Sequence, residues 1–122
     1  MRTLSTLIFA VLIIGFSGNA LGAQNEETAK SWQEQATSTR AQVMSVYGEL
    51  EKTDYENNAV AKDLITDAVT QLGEGDKYLK QGDEAMGKEE WEKANFGYNM
   101  AWQYYVKAAT AGLNAKSVLA GQ

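Results

Sequence analysis

The chain of 122 residues contains no histidine, no cysteine and no proline. Histidine is the commonest general base and a frequent metal ligand, and cysteine supplies thiolate nucleophiles and soft metal ligands. Their absence excludes the usual zinc sites, the usual haem attachment, histidine ligation of haem, and Ser-His-Asp catalysis. Disulfides are also excluded, so the fold has to be stabilised by side-chain packing alone.

The first 23 residues differ from the rest of the chain and predict a secretory signal peptide. Arg2 forms a short positive start, residues 7–16 are apolar, and Ala20, Gly22 and Ala23 provide a cleavage zone. An uncleaved membrane anchor over residues 4–23 is the alternative, because that stretch has the minimal length of a membrane span. We expect the signal to be cleaved and the protein to be periplasmic or secreted.

Basic residues are outnumbered in the remaining 99 residues, 24–122. Removal of Arg2 with the leader leaves 16 acidic and 10 basic residues, a net charge of −6. This balance disfavours nucleic acid and anionic membrane surfaces as partners. The length is sufficient for one small domain with a single core and insufficient for two.

The spacing of apolar residues predicts helices throughout residues 24–122, with no proline to interrupt them. A first helix is expected over about residues 27–52. Its seam alternates steps of three and four residues, as in a heptad repeat. The seam comprises Ala29, Trp32, Ala36, Thr39, Val43, Val46 and Leu50.

A second helix is predicted to begin at the sequence TDYE, where Thr53 and Glu56 match a capping box. Gly73 and Gly75 weaken the helix, so we expect one kinked helix, or two shorter helices if it breaks there. Leu64 and Val69 flank the seam and broaden its apolar face. The seam comprises Ala61, Ile65, Ala68, Leu72, Gly75, Leu79, Gly82 and Met86.

A turn at Gly87 and Lys88 is predicted to precede the third helix, with glycine taking the left-handed conformation. Glu89 and Glu90 then fall in the first turn of a helix that ends near Leu119. Alanine and larger residues alternate along much of its seam, which allows close approach of a neighbouring helix. The seam comprises Trp91, Ala94, Tyr98, Ala101, Tyr105, Ala108, Gly112, Ala115 and Leu119.

Short connections between long helices force antiparallel neighbours. The expected fold is therefore all-α: an elongated antiparallel three-helix bundle over residues 24–122, or four helices if the second breaks near Gly73 and Gly75.

Six aromatic residues crowd the first fifteen positions of the third helix. At 100° per residue, Trp91, Tyr98, Trp102 and Tyr105 lie on the seam and are predicted to be core. Three other side chains, Phe96, Met100 and Tyr104, form a strip on the opposite side of the helix. The strip is either a docking surface or is covered by another part of the chain.

Residues 75–108 resemble a single tetratricopeptide unit. The resemblance rests on an aromatic and a small residue in the second helix, a GKEEWEKA turn, and a small-large-small pattern in the third helix. These positions are Tyr78, Gly82, Ala94, Tyr98 and Ala101. The resemblance implies a protein-interaction module, here in one copy and with Val106 where the repeat commonly has proline.

Carboxylates are the remaining candidates for chemistry. Asp63 and Asp67 lie one helical turn apart, and Glu89, Glu90 and Glu92 cluster at a helix start. Neither group has the spacing of a calcium loop. We interpret both as solvated acidic faces and expect no metal, no cofactor and no enzymatic activity.

The sequence therefore predicts a non-catalytic exported protein that docks on another exported protein or complex through Phe96, Met100 and Tyr104, as an accessory or assembly factor in the cell envelope. One alternative is a carrier of a small apolar ligand, bound near Gly75 and Gly82 beside the tryptophans. The other is a structural protein that self-associates through the strip, for example as a homodimer.

Overall fold

A computed structural model describes residues 25–121, so the predicted signal peptide lies outside the described residues. The described part is an all-α bundle of three long helices without strands, which confirms the predicted fold class. The third helix packs along both others, whereas the first and second contact each other less, in part through hydrogen bonds between long polar side chains. The helices are α1 (Glu26–Leu50), α2 (Ala59–Gly87) and α3 (Trp91–Leu119), with a short 3-10 turn at Tyr55–Asn57 between α1 and α2.

A capping box that the sequence analysis did not identify fixes the start of α1. The side chain of Asn25 accepts a hydrogen bond from the Thr28 amide at 3.0 Å, and the Asn25 amide donates to the Thr28 hydroxyl at 3.0 Å. Threonine here takes the place of the usual glutamate or glutamine. Two backbone donors that the first turn leaves unpaired are thereby satisfied.

The capping box predicted at Thr53 is wrong. The Thr53 hydroxyl donates to the Leu50 carbonyl at the end of α1 instead of capping α2. The chain passes through the 3-10 turn before Asn58 caps α2, accepting from the Ala61 amide at 3.0 Å. The second helix therefore begins at Ala59, and its cap lies five residues later than predicted.

The second helix does not divide near Gly73 and Gly75: α2 is one helix of 29 residues, as expected, and the four-helix alternative does not apply. Its buried positions follow the predicted seam, with Ala85 as an addition. Val69 was expected to broaden the apolar face, but 52% of its surface is exposed.

The turn between α2 and α3 ends in a left-handed residue, and that residue is Glu89 (φ 59°) rather than Gly87. The Glu90 amide donates to the Ala85 carbonyl at 2.9 Å, and the Glu89 amide donates to the Met86 carbonyl at 3.1 Å. This pair of bonds is a Schellman motif with Glu89 in the position that glycine usually occupies. Glu90 then precedes α3, and Glu92 is the acid in its first turn.

The predicted seam of α3 forms the centre of the core. Tyr98 and Tyr105 are fully buried, whereas Trp91 and Trp102 are only partly buried although they were predicted to be core. Trp102 contacts Trp32 of α1, with ring centroids 5.6 Å apart. The buried seam residues are Ala94, Tyr98, Ala101, Tyr105, Ala108, Gly112 and Ala115.

Two glycines of α2, seven residues apart, make room for the two buried tyrosines of α3. A β-carbon on Gly82 would lie 2.6 Å from Cδ1 of Tyr98, and one on Gly75 would lie 2.5 Å from Cε1 of Tyr105. At Gly97 the two helix backbones themselves are in close contact, because a β-carbon there would lie 2.7 Å from the backbone nitrogen of Gly82. The space that the carrier hypothesis required at these glycines is therefore filled by tyrosine rings.

Asp76 follows Gly75, and Asp83 follows Gly82. Each aspartate accepts a hydrogen bond from the tyrosine that packs on the glycine before it. The Tyr105 hydroxyl donates to Asp76 at 2.5 Å, and Arg40 of α1 donates to both oxygens of that carboxylate at 2.8 and 3.1 Å. One heptad away, the Tyr98 hydroxyl donates to Asp83 at 2.5 Å. These two polar layers link α1 to the α2–α3 hairpin, the second through Gln33, whose amide donates to both Tyr98 and Asp83.

Candidate protein-docking surface

The structure places the three residues of the predicted strip along the outer side of α3. Phe96 is 58% exposed, the largest value among the exposed large apolar residues together with Val60. Met100 and Tyr104 are partly buried. Phe96 is therefore the most accessible apolar side chain of the strip.

Tyr78 of α2 completes this surface, and the sequence analysis did not assign it there. Its ring stacks on Tyr104 with centroids 5.6 Å apart and meets the edge of Phe96 at 6.1 Å. The three rings thus form one aromatic surface across the outer groove of the α2–α3 hairpin. The helical angles of α3 alone did not reveal this contact because Tyr78 belongs to a different helix. We call Tyr78, Phe96, Met100 and Tyr104 the aromatic face.

Lys107 lies one turn beyond Tyr104, with its ammonium 4.9 Å from the centre of the Tyr104 ring. A cation over an aromatic ring is attracted by the negative face of the ring. Within residues 25–121 the ion pairs involve four other lysines and Arg40, and none involves Lys107. The ammonium is thus positioned by a ring and exposed to solvent.

The outer side of α3 is almost free of charge. Residues 94–106 contain no charged side chain, and Lys107 is the only one between Lys93 and Lys116. Exposed helix faces are usually rich in charged residues, whereas the centres of protein interfaces are depleted of charge and enriched in aromatic residues and methionine. The absence of charge from residues 94–106 is visible in the sequence. It indicates the same face as the helical angles, which were the only basis for predicting that face.

A groove of about 710 Å³ extends from the N-terminal half of the aromatic face. Phe96 and Met100 line it together with the buried Asn95, whose amide donates to the Trp91 carbonyl at 2.7 Å. Charged side chains of both signs from the α2–α3 turn, including Lys88 and Glu90, form its rim. The groove is wide and open, with a mixed polar and apolar lining.

The titratable cluster with the clearest pKa changes is the Asp76 layer, which lies between the helices. Hydrogen bonds from Arg40, and then from Tyr105, hold the pKa of the Asp76 carboxyl below its ordinary value. Burial, followed by the hydrogen bond to Asp76, raises the pKa of Tyr105. Shifted pKa values often mark active sites, but neither Asp76 nor Tyr105 lines the open groove. The cluster is therefore a structural link between helices.

The acidic residues considered as metal ligands are exposed on the surface of the bundle. Within residues 25–121, no three acidic side chains converge in a way that would hold a metal ion. In the same part of the chain, no helix has the length and apolar character needed to cross a membrane.

Comparisons of the chain with known protein families, with characterised proteins and with solved structures find no match.

Proposed function

We propose that this protein is an exported, non-catalytic accessory or assembly factor that docks on another exported protein through its aromatic face. The observation that carries the proposal is the exposed ring of Phe96 on a helix face that lacks charge from residue 94 to residue 106. Contiguous apolar surface on a small soluble domain is a common sign of a partner site.

The arrangement of the rings supports docking. Tyr78 and Tyr104 are stacked, so their side chains are already ordered before a partner binds. Ordered aromatic side chains lose little conformational entropy on association, which is one reason why such residues dominate binding energy at interfaces. Met100, which lies one turn from Phe96 and one turn from Tyr104 along α3, is a flexible apolar side chain that adapts to a partner.

The α2–α3 hairpin is also the part of the chain that resembles a tetratricopeptide unit, and such units bind other proteins. We propose that the hairpin provides the partner surface and that α1 supports it. The polar layers at Asp76 and Asp83 hold α1 on the side of the hairpin that contains Gly75 and Gly82.

The proposal is tested by purifying the C-terminally tagged protein from its native host. A stoichiometric partner should be recovered with the wild type and lost with a Phe96→Glu, Tyr104→Glu variant of unchanged helix content. Replacing Tyr104 also removes its packing on Tyr78, so the single Phe96→Glu variant, which keeps both tyrosines, is the milder change. Val60→Glu is the matched control, since Val60 has the same 58% exposure on another helix. Recovery of the same partner with the Phe96 variants would show that the face is not the docking site.

The groove supports a second candidate, a carrier of a small molecule with an apolar part. Its volume of about 710 Å³ lies within the usual range of ligand sites. Trp32 is among its lining residues, so an apolar ligand bound there should shift tryptophan emission. A panel of apolar ligands that leaves the emission unchanged would exclude this candidate.

A further inference from the structure

The position of Lys107 carries an inference about the chemistry of the partner. We propose that the occupant of the aromatic face is a helix of another protein that presents apolar side chains to Phe96 and Met100 and a carboxylate to Lys107. This inference rests on the proposed docking function and adds the charge pattern of the partner to it.

Lys107 has no acidic partner on α3. Asp67 of α2 lines the same shallow depression, but it accepts a hydrogen bond from Gln71 at 3.3 Å and forms no ion pair with Lys107 in the described part of the chain. Lys93, at the other end of the face, is already paired with Glu90 at 3.5 Å. Lys107 is therefore an unpaired cation next to residues 94–106 of α3, which carry no charge.

Covering this surface with a partner changes the surroundings of Lys107. A partner that buries Tyr104 also removes water from the ammonium 4.9 Å above its ring. A charge that loses its water without gaining a partner opposes binding, whereas an opposite charge across the interface favours it. The acid should lie about 16 Å along the helix axis from the contact with Phe96, since eleven residues separate Phe96 from Lys107.

The charge of Lys107 also distinguishes a foreign helix from a second copy of this chain. In a symmetric pair both copies present the same patch. Parallel α3 helices would bring the two Lys107 ammonium groups together, and antiparallel helices centred on Met100 would place Lys107 opposite Lys93 of the other copy, which is already paired with Glu90. Self-pairing therefore gives Lys107 no carboxylate of its own, which favours a partner of different sequence that supplies one.

The inference is tested with a displayed library of helical peptides selected for binding to the purified domain. The library fixes apolar residues at helical spacing and randomises the positions on either side of them. Selection on the wild type should enrich Asp or Glu at a position about three turns from the apolar anchor. Parallel selection on Lys107→Glu should enrich Lys or Arg at that position, and selection on the control Lys80→Glu should match the wild type.

The affinities of individual peptides then measure how much the acid contributes to binding. Replacing the enriched acid by lysine should weaken binding to the wild type about tenfold, which is the lower end of couplings measured for close charge pairs across interfaces. The same replacement should strengthen binding to Lys107→Glu. The inference would be overturned if selection on the wild type enriched no acid, or if selections on the wild type and on Lys107→Glu enriched the same acid.

The failure of this inference is distinguishable from failure of the docking function. If wild-type binders lack the acid but lose affinity for Phe96→Glu, the docking face stands and the acidic partner does not. If binders are indifferent to Phe96→Glu, both are wrong. A concentration-dependent dimer in sedimentation that disappears in Phe96→Glu would assign the face to a second copy and also overturn the inference.

Discussion

The ring of Tyr105 occupies the space in which a side chain of Gly75 would begin, because a β-carbon at Gly75 would lie 2.5 Å from Cε1 of the ring. Tyr105 is fully buried, so neighbouring atoms prevent the ring from moving aside. The glycine and the tyrosine are therefore one packing unit, and a change in either residue affects both helices.

Alanine substitutions test this unit against a matched glycine in the same helix. Gly75→Ala should destabilise the domain by about 1–3 kcal/mol, the usual cost of overpacking a core. Gly73 has no atom within 4 Å of its hypothetical β-carbon, so Gly73→Ala should stabilise the domain by up to about 1 kcal/mol through helix propensity. Urea unfolding followed by circular dichroism measures both. Equal effects at the two glycines would contradict the packing unit.

The left-handed conformation of Glu89 predicts a stabilising substitution. A residue with a β-carbon at this φ costs about 1–2 kcal/mol, which glycine avoids. Glu89→Gly should therefore raise the free energy of unfolding by about 1 kcal/mol. The neighbouring Lys88 has an ordinary φ of −96°, so Lys88→Gly should not stabilise the protein. A loss of stability in Glu89→Gly would show that the Schellman turn is not strained.

Asp76 predicts the response of the bundle to acid. Its pKa is depressed in the folded state, chiefly by hydrogen bonds from Arg40, so its stabilising contribution is present above the unfolded value of about 4 and is lost as the pH falls through the lower folded pKa. Asp76→Asn should lower the urea midpoint at pH 7 and flatten its dependence on pH below about 4. Asp63→Asn, on an exposed position, is the control. An unchanged acid dependence in Asp76→Asn would refute the assignment.

Tyr47 predicts the response to alkali. Burial, with Tyr55 and Glu51 nearby, raises the pKa of Tyr47 to about 12, and its hydroxyl donates to the Ile65 carbonyl at 3.2 Å. In the unfolded chain the Tyr47 hydroxyl ionises near pH 10. Its contribution to the stability of the fold is therefore complete below about pH 10 and is lost as the pH rises towards 12. Urea midpoints between pH 8 and 11.5 should decline less steeply in Tyr47→Phe. Identical slopes in the wild type and in Tyr47→Phe would show that Tyr47 does not contribute to the loss of stability in alkali.

The periodicity of the sequence predicted the three helices because the burial of one face imposes steps of three and four residues on each of them. Ala94, Tyr98, Ala101 and Tyr105 are buried as that pattern requires. The second helix continues across Gly73 and Gly75 because packing of α2 against α3 outweighs the low helix propensity of glycine.

Helix ends were less predictable, since several residues in a row have side chains suited to capping. Thr53 and Asn58 both fit a cap, and only the structure shows that the Thr53 hydroxyl bonds to Leu50. Contacts between helices were also beyond a one-dimensional pattern. The heptad spacing of Gly75-Asp76 and Gly82-Asp83 matches that of Tyr105 and Tyr98, but the antiparallel register that joins them is a property of the folded chain.

The aromatic face also depends on a contact between two helices. Helical angles placed Phe96, Met100 and Tyr104 on one side of α3, but the contribution of Tyr78 depends on the register between α2 and α3. That register brings the Tyr78 ring against both Phe96 and Tyr104.

Site-specific photocrosslinking from Met100 in the native host tests the docking function most directly. A photoreactive amino acid at Met100 lies at the centre of the aromatic face, and the same group at Val60, which is more exposed, provides a control on α2. We predict one covalent adduct with a different exported protein from position 100 and none of that adduct from position 60. Adducts only with a second copy of the chain, identical adducts from both positions, or no adduct from position 100 would contradict docking on a partner through this face.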